Sequence, residues 1–148
     1  NNIKISKIKK NIITPINKNK IFFIESNIVN KNSKIFKIKE VDIIIHAASI
    51  ASPTFYRKYP LKTAEANVDG LKNLLNFSLK KNISRILFFS SSEIYGNPNP
   101  KNIPTKETYN GNVSSIGPRS CYDESKRYGE TLCYIYNKTY LENKKYKL

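Results

Sequence analysis

The chain has 148 residues, a length typical of one domain that can bury a hydrophobic core. It carries 26 basic and 11 acidic side chains, a formal net charge of +15 that would suit a nucleic acid or an anionic membrane as partner. However, the lysines are spread along the whole sequence, whereas nucleic-acid-binding proteins usually concentrate their charge on one face. Biased composition explains the charge more simply, and a nucleic-acid partner is not expected.

The few cysteines and histidines argue against a metal site and a disulfide framework. The chain has Cys121, Cys133 and His46, and their spacing is not that of metal ligands, so no metal is expected. So few cysteines favour a reducing compartment, and we expect a cytoplasmic protein. No apolar run approaches the roughly 20 residues of a membrane span, and no signal peptide is visible, so no membrane partner is expected.

The first part of the chain alternates polar segments with short apolar runs. Residues 1–20 are polar and basic and are predicted to be a peripheral segment. The apolar run at 20–28 predicts a strand, and 32–40 has room for one or two helical turns. The Ile-rich run at 41–49 is typical of a strand buried on both faces. The segment "TFYRKYP" (54–60) is predicted to be a loop.

The second part continues the alternation with longer elements. Residues 61–81 have apolar side chains at helical spacing and predict a helix. Another buried strand is predicted at 84–92. The Pro- and Gly-rich stretch at 93–118 predicts a long loop, and a loop of this length inside a compact domain is usually functional. Residues 119–143 predict a long helix.

Strands that alternate with helices in this way indicate an α/β fold, here a partial Rossmann-like, doubly wound parallel sheet. Ligands of such sheets bind at the carboxyl ends of the strands. In this chain those ends are rich in polar residues: His46, Ala47, Ala48 and Ser49 after one strand, and Ser90, Ser91, Ser92 and Glu93 after the next. The sequence therefore predicts a polar site at this edge.

Tyr122 and Lys126 are four residues apart, which places them on one helix face, one turn from each other. A lysine ammonium in this position stabilises a phenolate, which can then act as a base toward an alcohol. The same spacing recurs at Tyr134/Lys138 and Tyr140/Lys144, so the pattern alone is weak. Tyr122 differs because it opens its helix directly after the long loop, with a hydroxyl-rich strand end about 30 residues upstream.

Three segments together resemble one family: "HAASIASPTFY" (46–56), "SSSEIYG" (90–96) and "GPRSCYDESKR" (117–127). They are similar to the extended short-chain dehydrogenase/reductases, the NAD-dependent sugar-nucleotide epimerases, dehydratases and decarboxylases. The resemblance spans roughly residues 20–140. Within the family it is closest to the decarboxylases that act on UDP-glucuronate. It implies NAD as cofactor and a nucleotide sugar as substrate.

The resemblance implies specific catalytic roles. Tyr122 matches the family's tyrosine base, and Lys126 the lysine that stabilises its phenolate and holds the nicotinamide ribose. Ser91 matches the hydroxyl donor to the substrate oxygen. Glu93 matches a strand-end glutamate linked to chemistry at the sugar ring, and Arg119 is a candidate for contact with an anionic group of the substrate.

The resemblance also implies a cofactor site. Asn27 and Ile28 stand where the family usually has Asp-Ile or Asp-Val against the adenine, so Asn27 keeps an acceptor but loses the charge. The segment from His46 to Ser49 and the residue Ser90 would line the cofactor. Asn67 matches the helix asparagine that supports the site.

Ser92 bears on which member of the family the chain resembles. The 4,6-dehydratases typically have an aspartate there, because loss of a hydroxyl needs a proton donor. Loss of carbon dioxide from a β-keto acid needs none, so Ser92, as a substrate-contacting residue, favours a decarboxylase. A dehydratase or 4-epimerase remains the alternative within the family, and a basic nucleic-acid-binding module or a catalytically inactive relative remains the alternative outside it.

The sequence lacks two parts that the family usually has. Its five glycines show no G-x-G-x-x-G spacing for a pyrophosphate turn, and it ends after the Tyr-Lys helix, before the C-terminal substrate domain. We therefore expect a fragment in which residues 20–148 form a partial NAD-binding domain, with no turnover by these residues alone. By analogy with the family we expect a homodimer of the full-length protein, with Tyr134 and Tyr140 facing the partner.

Overall fold

A computed structural model of the chain describes residues 21–141, so the predicted peripheral segment at 1–20 lies outside the described residues. Within residues 21–141 the regular elements are two strands, β1 (Ile43–His46) and β2 (Arg85–Phe88), and four helices, α1 (Pro53–Lys58), α2 (Pro60–Glu65), α3 (Leu71–Lys81) and α4 (Ser120–Tyr136). A π-helical segment, Ala66–Gly70, joins α2 to α3, and another, Asn137–Leu141, follows α4. Short 3-10 turns lie at Lys34–Lys37, Ser92–Tyr95 and Pro100–Asn102.

The two strands pair in parallel, with Ile44 opposite Ile86 and His46 opposite Phe88. The chain passes from β1 to β2 through α1, α2 and α3, as a parallel connection requires. The predicted strands at 41–49 and 84–92 are confirmed with shorter bounds, as is the α/β class. The carboxyl ends of both strands lie at the same edge.

The two-stranded sheet is covered on one face. Ile86 and Phe88 pack against the core formed by α3 and α4. On the opposite face Ile45 is 63% exposed and Leu87 51% exposed. The prediction of burial on both faces is therefore wrong for the described residues. An Ile-rich run indicates that a strand can be buried, but it does not show whether another element covers each face.

The prediction of a strand at 20–28 is wrong for the described part of that range. Residues 21–27 have no regular structure, and a turn follows them. A strand needs a neighbour for its backbone hydrogen bonds. The sheet of the described residues consists of β1 and β2, so this apolar segment has no strand beside it to pair with.

The loop predicted at 54–60 is also wrong, because α1 and α2 occupy most of it. Pro53 and Pro60 stand at the starts of these two helices, where a fixed φ and a missing N–H favour initiation. The backbone N–H groups of Phe55 and Tyr56 both donate to the carbonyl of Ser52, at 2.9 Å each. The prolines therefore start helices here and do not interrupt one.

The core lies between α3 and α4. Leu71 and Leu75 of α3 meet Leu132 and Tyr136 of α4, and all four side chains are buried. A β-carbon added at Gly129 of α4 would lie 2.5 Å from Phe88 Cζ, so glycine permits the close approach of α4 to β2. The helices predicted at 61–81 and 119–143 are confirmed over the described residues.

The long loop predicted between β2 and α4 is confirmed, and α4 anchors it. Arg127 of α4 donates from Nη1 to the carbonyls of Ile94 and Asn110, at 2.7 and 2.9 Å. The turn Ser92–Tyr95 also contacts α4. Within residues 21–141, no helix combines the length and the apolar character that crossing a membrane would require.

Candidate active site

Tyr122 lies in the first turn of α4 and is 5% exposed. Its ring stacks on that of Tyr56 of α1, with centroids 5.0 Å apart and planes 12° from parallel. Stacking of this kind restricts the orientation of the phenol. Tyr56 was not singled out from the sequence, although it closes the first of the three family-like segments.

Lys126 lies one turn after Tyr122 and is buried. Its Nζ is 5.8 Å from the centre of the Tyr122 ring and 4.8 Å from that of Phe88. It donates to the carbonyl of Phe89, at 2.5 Å, and so ties α4 to the end of β2. Burial lowers the pKa of Lys126, because desolvation disfavours the ammonium. The structure thus brings Tyr122, Lys126 and the end of β2 together.

Asn67 supports the helix that carries Tyr122. It lies in the π-helical segment before α3 and is fully buried. Its Nδ2 donates to Ser125 Oγ at 2.8 Å, and that hydroxyl donates to the backbone carbonyl of Tyr122 at 3.0 Å. Single turns of π-helix are frequent at functional sites. Here the wide turn places an amide against the turn of α4 that carries Tyr122.

The polar end of β2 leads into the turn Ser92–Tyr95. Ser91 Oγ accepts a hydrogen bond from the backbone N–H of Glu93, at 3.3 Å. Ser92 is exposed, and Ser90 Oγ is buried without a hydrogen-bond partner among the described residues. Of this strand end, the turn that bears Ser92 and Glu93 contacts α4.

Arg119 stands immediately before α4 and pairs with two carboxylates. Its Nη2 pairs with Glu93 Oε2 and lies 3.3 Å from Asp123 Oδ2. The positive charge of Arg119 is therefore offset within the protein. This arrangement makes Arg119 a poorer partner for an anionic group of the substrate than the sequence indicates.

His46 ends β1 and is 3% exposed. Burial lowers its pKa to about 4, and repulsion from Lys126 adds to the effect while the backbone of Ala66 opposes it. The imidazole is therefore neutral near pH 7. Ala47 and Ala48 follow it at the surface, and Ser49 Oγ is buried without a hydrogen-bond partner among residues 21–141.

Acidification is expected to destabilise the fold through His46. The unfolded chain takes up a proton near pH 6.5 and the folded chain only near 4, so this stability is present above pH 6.5 and is lost as the pH falls toward 4. The loss is at most about 3 kcal/mol. Urea unfolding of the protein and of His46→Gln across this range measures it. Equal pH dependence of the two proteins would contradict the assignment.

Asn27 and Ile28 contact α3 and their own turn. Asn27 Oδ1 accepts from the backbone N–H of Val29 at 3.0 Å, which is a local turn contact. The Ile28 side chain packs so closely on Gly70 that an added β-carbon there would lie 2.6 Å from Ile28 Cδ1. Asn73 Nδ2 donates to the carbonyl of Ile28 at 2.9 Å. No described contact joins these two residues to Tyr122 or Lys126.

Unpartnered polar atoms at the strand ends indicate what the site can hold. Among the described residues, both ring nitrogens of His46, Ser49 Oγ and Ser90 Oγ at the strand ends are buried and make no hydrogen bond, and the same is true of Asn67 Oδ1 in the segment before α3. Buried polar groups are costly without partners, so these atoms fit a polar ligand at the carboxyl edge of β1 and β2. No group of three or more metal-binding side chains occurs within residues 21–141.

The parallel strands with polar carboxyl ends and the Tyr-Lys helix beside them define a Rossmann-like α/β protein. Comparison with known proteins agrees with this class. The profile described as "NAD dependent epimerase/dehydratase family" matches residues 5–144. The chain belongs to this family.

Several curated relatives are UDP-glucuronic acid decarboxylases. UDP-glucuronic acid decarboxylase 1 of Danio rerio is 48% identical over 99 residues, which are 67% of this chain and 23% of that protein. UDP-glucuronic acid decarboxylase 6 of Arabidopsis thaliana is 50% identical over 99 residues, which are 67% of this chain and 28% of that protein. The chain thus spans about a quarter of the length of these relatives.

Solved structures of sugar-nucleotide enzymes share the fold. UDP-glucose 4-epimerase of Thermotoga maritima, solved with UDP-glucose, has a TM-score of 0.69 at 26% identity, over 84% of this chain and 39% of that one. A dTDP-glucose 4,6-dehydratase of Streptomyces venezuelae, solved with NAD, has a TM-score of 0.67 at 19% identity, over 95% of this chain and 39% of that one. The second likeness concerns the fold alone.

Proposed function

We propose that the protein carrying this chain is an NAD-dependent decarboxylase that converts UDP-glucuronate to UDP-xylose through a 4-keto intermediate. The observation that carries the proposal is the grouping of Tyr122 and Lys126 of α4 with the end of β2, which bears Ser91 and Glu93. The identity of about half to UDP-glucuronic acid decarboxylases supports this choice of substrate.

NAD would be held at the carboxyl edge of the strands. The unpartnered hydroxyls of Ser49 and Ser90 can donate to it, and Lys126 can hold the nicotinamide ribose. His46 presents a neutral ring to this region, because burial lowers its pKa to about 4. Bound there, NAD would accept the hydride from C4 of the sugar and later return it.

Tyr122 acts as the base in this mechanism. As phenolate it takes the proton of the 4-hydroxyl, while Lys126 stabilises the negative charge and Ser91 donates a hydrogen bond to the same oxygen. The resulting 4-keto acid loses its C5 carboxylate as carbon dioxide. A proton then replaces the carboxylate at C5, and reduction of the ketone with return of the Tyr122 proton gives the xylose ring.

Ser92 distinguishes this reaction from dehydration. Loss of water from the sugar would need an acid to protonate the departing oxygen, and the serine at position 92 is a far weaker acid than a carboxylic acid. Carbon dioxide leaves without such an acid. A 4-epimerase is the second candidate, favoured by the 0.69 TM-score to a UDP-glucose 4-epimerase.

Product analysis tests the proposal. The full-length protein that carries this chain is incubated with NAD and, in separate reactions, UDP-glucuronate, UDP-glucose and dTDP-glucose, and the products are separated by chromatography. We expect UDP-xylose and carbon dioxide from UDP-glucuronate alone. Formation of UDP-galactose would show a 4-epimerase instead of a decarboxylase. Formation of a 4-keto-6-deoxy sugar would show a dehydratase. DNA binding without conversion of any of the three would favour the nucleic-acid alternative.

We also propose a homodimer of the full-length protein through α4. Tyr134 and Ile135 on this helix and Tyr140 after it are exposed, which leaves apolar surface for a partner. Tyr122 and Lys126 on the same helix are buried, so such a dimer would use a different face from the active site.

A further inference from the structure

Three charged side chains meet where the turn after β2 approaches the first turn of α4. Arg119 pairs through Nη2 with Glu93 Oε2, and the same nitrogen lies 3.3 Å from Asp123 Oδ2. One guanidinium is thus shared by two carboxylates. Glu93 has a part in the chemistry implied for the family, whereas Asp123 has none.

Asp123 is buried, whereas its neighbour Glu124 is exposed. The Asp123 side chain is 7% exposed, whereas that of Glu124 is 43% exposed and lies 3.9 Å from Arg127. Burying a carboxylate is unfavourable unless it is paired. Burial accordingly raises the pKa of Asp123, while Arg119 acts in the opposite direction. Arg119 therefore compensates the buried charge of Asp123 at Oδ2, whereas Oδ1 is buried without a hydrogen-bond partner among the described residues.

The second carboxylate, that of Asp123, restricts the positions that the Arg119 side chain can take. An arginine held by Glu93 alone could follow that side chain, because both are long and about two fifths exposed. Asp123 is buried in the rigid first turn of α4 and follows Tyr122 directly in sequence. Its contact with Arg119 is made within the start of α4 and holds the guanidinium there, while the same nitrogen reaches Glu93 after β2.

We propose that Asp123 is a positioning residue that, through Arg119, fixes the carboxylate of Glu93 relative to Tyr122. The proposal rests on the proposed function, since it assumes that Glu93 acts at the sugar. In this scheme Asp123 contacts neither the sugar nor the hydroxyl of Tyr122 that takes the proton. Its contribution is the orientation of another side chain.

A double-mutant cycle in the full-length protein tests the coupling. Asp123→Asn should lower kcat for UDP-glucuronate by up to about 100-fold with KM little changed, since a misplaced group costs turnover more than binding. In a Glu93→Gln background the same substitution should lower kcat by less than about 3-fold, because the oriented group is already absent. Asp123→Glu should restore part of the loss. An equal loss of kcat in both backgrounds, or an unchanged kcat, would overturn the proposal.

A measurement independent of turnover uses the guanidinium itself. NMR of the Arg119 side chain should show restricted Nη rotation in the unsubstituted protein and in the matched control Glu124→Gln, and faster rotation in Asp123→Asn, where Glu93 alone holds the guanidinium. An Nη rotation rate that is the same in Asp123→Asn as in the unsubstituted protein would refute the positioning role. A protein that converts no nucleotide sugar would refute the proposed function instead, and the NMR result would then decide alone whether Asp123 fixes the Arg119–Glu93 pair.

Discussion

Replacing Tyr122 with phenylalanine is expected to lower the turnover of UDP-glucuronate by roughly 10²–10⁴-fold, the range that general-base catalysis contributes. The substitution removes only the hydroxyl. The ring can still stack on Tyr56, and Asn67 and Ser125 still hold the helix backbone, so the fold should persist. Initial rates with the full-length protein, NAD and UDP-glucuronate measure the effect.

Tyr134→Phe is the matched control, because Tyr134 has the same spacing to a lysine. Lys138 Nζ lies 6.0 Å from the Tyr134 ring, a distance close to that between Lys126 and Tyr122. Tyr134, however, is exposed and lies near the end of α4, whereas Tyr122 is buried in its first turn. We expect it to keep its normal rate. Comparable losses in the two variants would show that the Tyr-Lys spacing, and not the strand-end site, explains the effect.

Leu71→Ala is expected to reduce the free energy of unfolding by about 2–5 kcal/mol, as for other fully buried leucines. Leu71 is 0% exposed and belongs to the cluster that joins α3 to α4. Removing its side chain leaves a cavity beneath the helix that carries Tyr122 and Lys126. Urea unfolding followed by circular dichroism measures the change.

Leu61→Ala makes the same chemical change at a position that is 71% exposed. We expect it to alter the free energy of unfolding by no more than about 0.5 kcal/mol. If both substitutions cost the same, the α3–α4 interface would not be the core of the protein.

The strand-helix alternation could be predicted because it depends on local composition. Ile-rich runs and helical spacing of leucines are properties of adjacent residues, and β1, β2, α3 and α4 all follow them. The errors concern long-range partners. The segment at 20–28 has strand-like composition but no paired neighbour among the described residues, and the outer face of β1 is exposed for lack of a covering element.

In the candidate site, too, some residues could be predicted from local sequence and others only from long-range packing. Tyr122, Lys126 and the hydroxyls after β2 could be proposed from spacing and from three short segments that resemble one family. Tyr56 could not, because its stacking on Tyr122 is set by the packing of α1 on α4. Asp123 has helical spacing to Arg119, but its burial, which singles it out, is also set by packing. For Arg119 the sequence indicated an anionic ligand, whereas the structure pairs it with two carboxylates.

The sequence by itself determined the α/β class, the order of its elements and the helix that presents a tyrosine one turn before a lysine. These features arise from the periodicity and chemistry of residues close together in the chain. Only the tertiary structure decided that Arg119 reaches Glu93, which ring orients Tyr122 and which face of the sheet is covered. Those contacts join residues tens of positions apart, and their energies depend on burial and distance, which are created only when the helices pack on the strands.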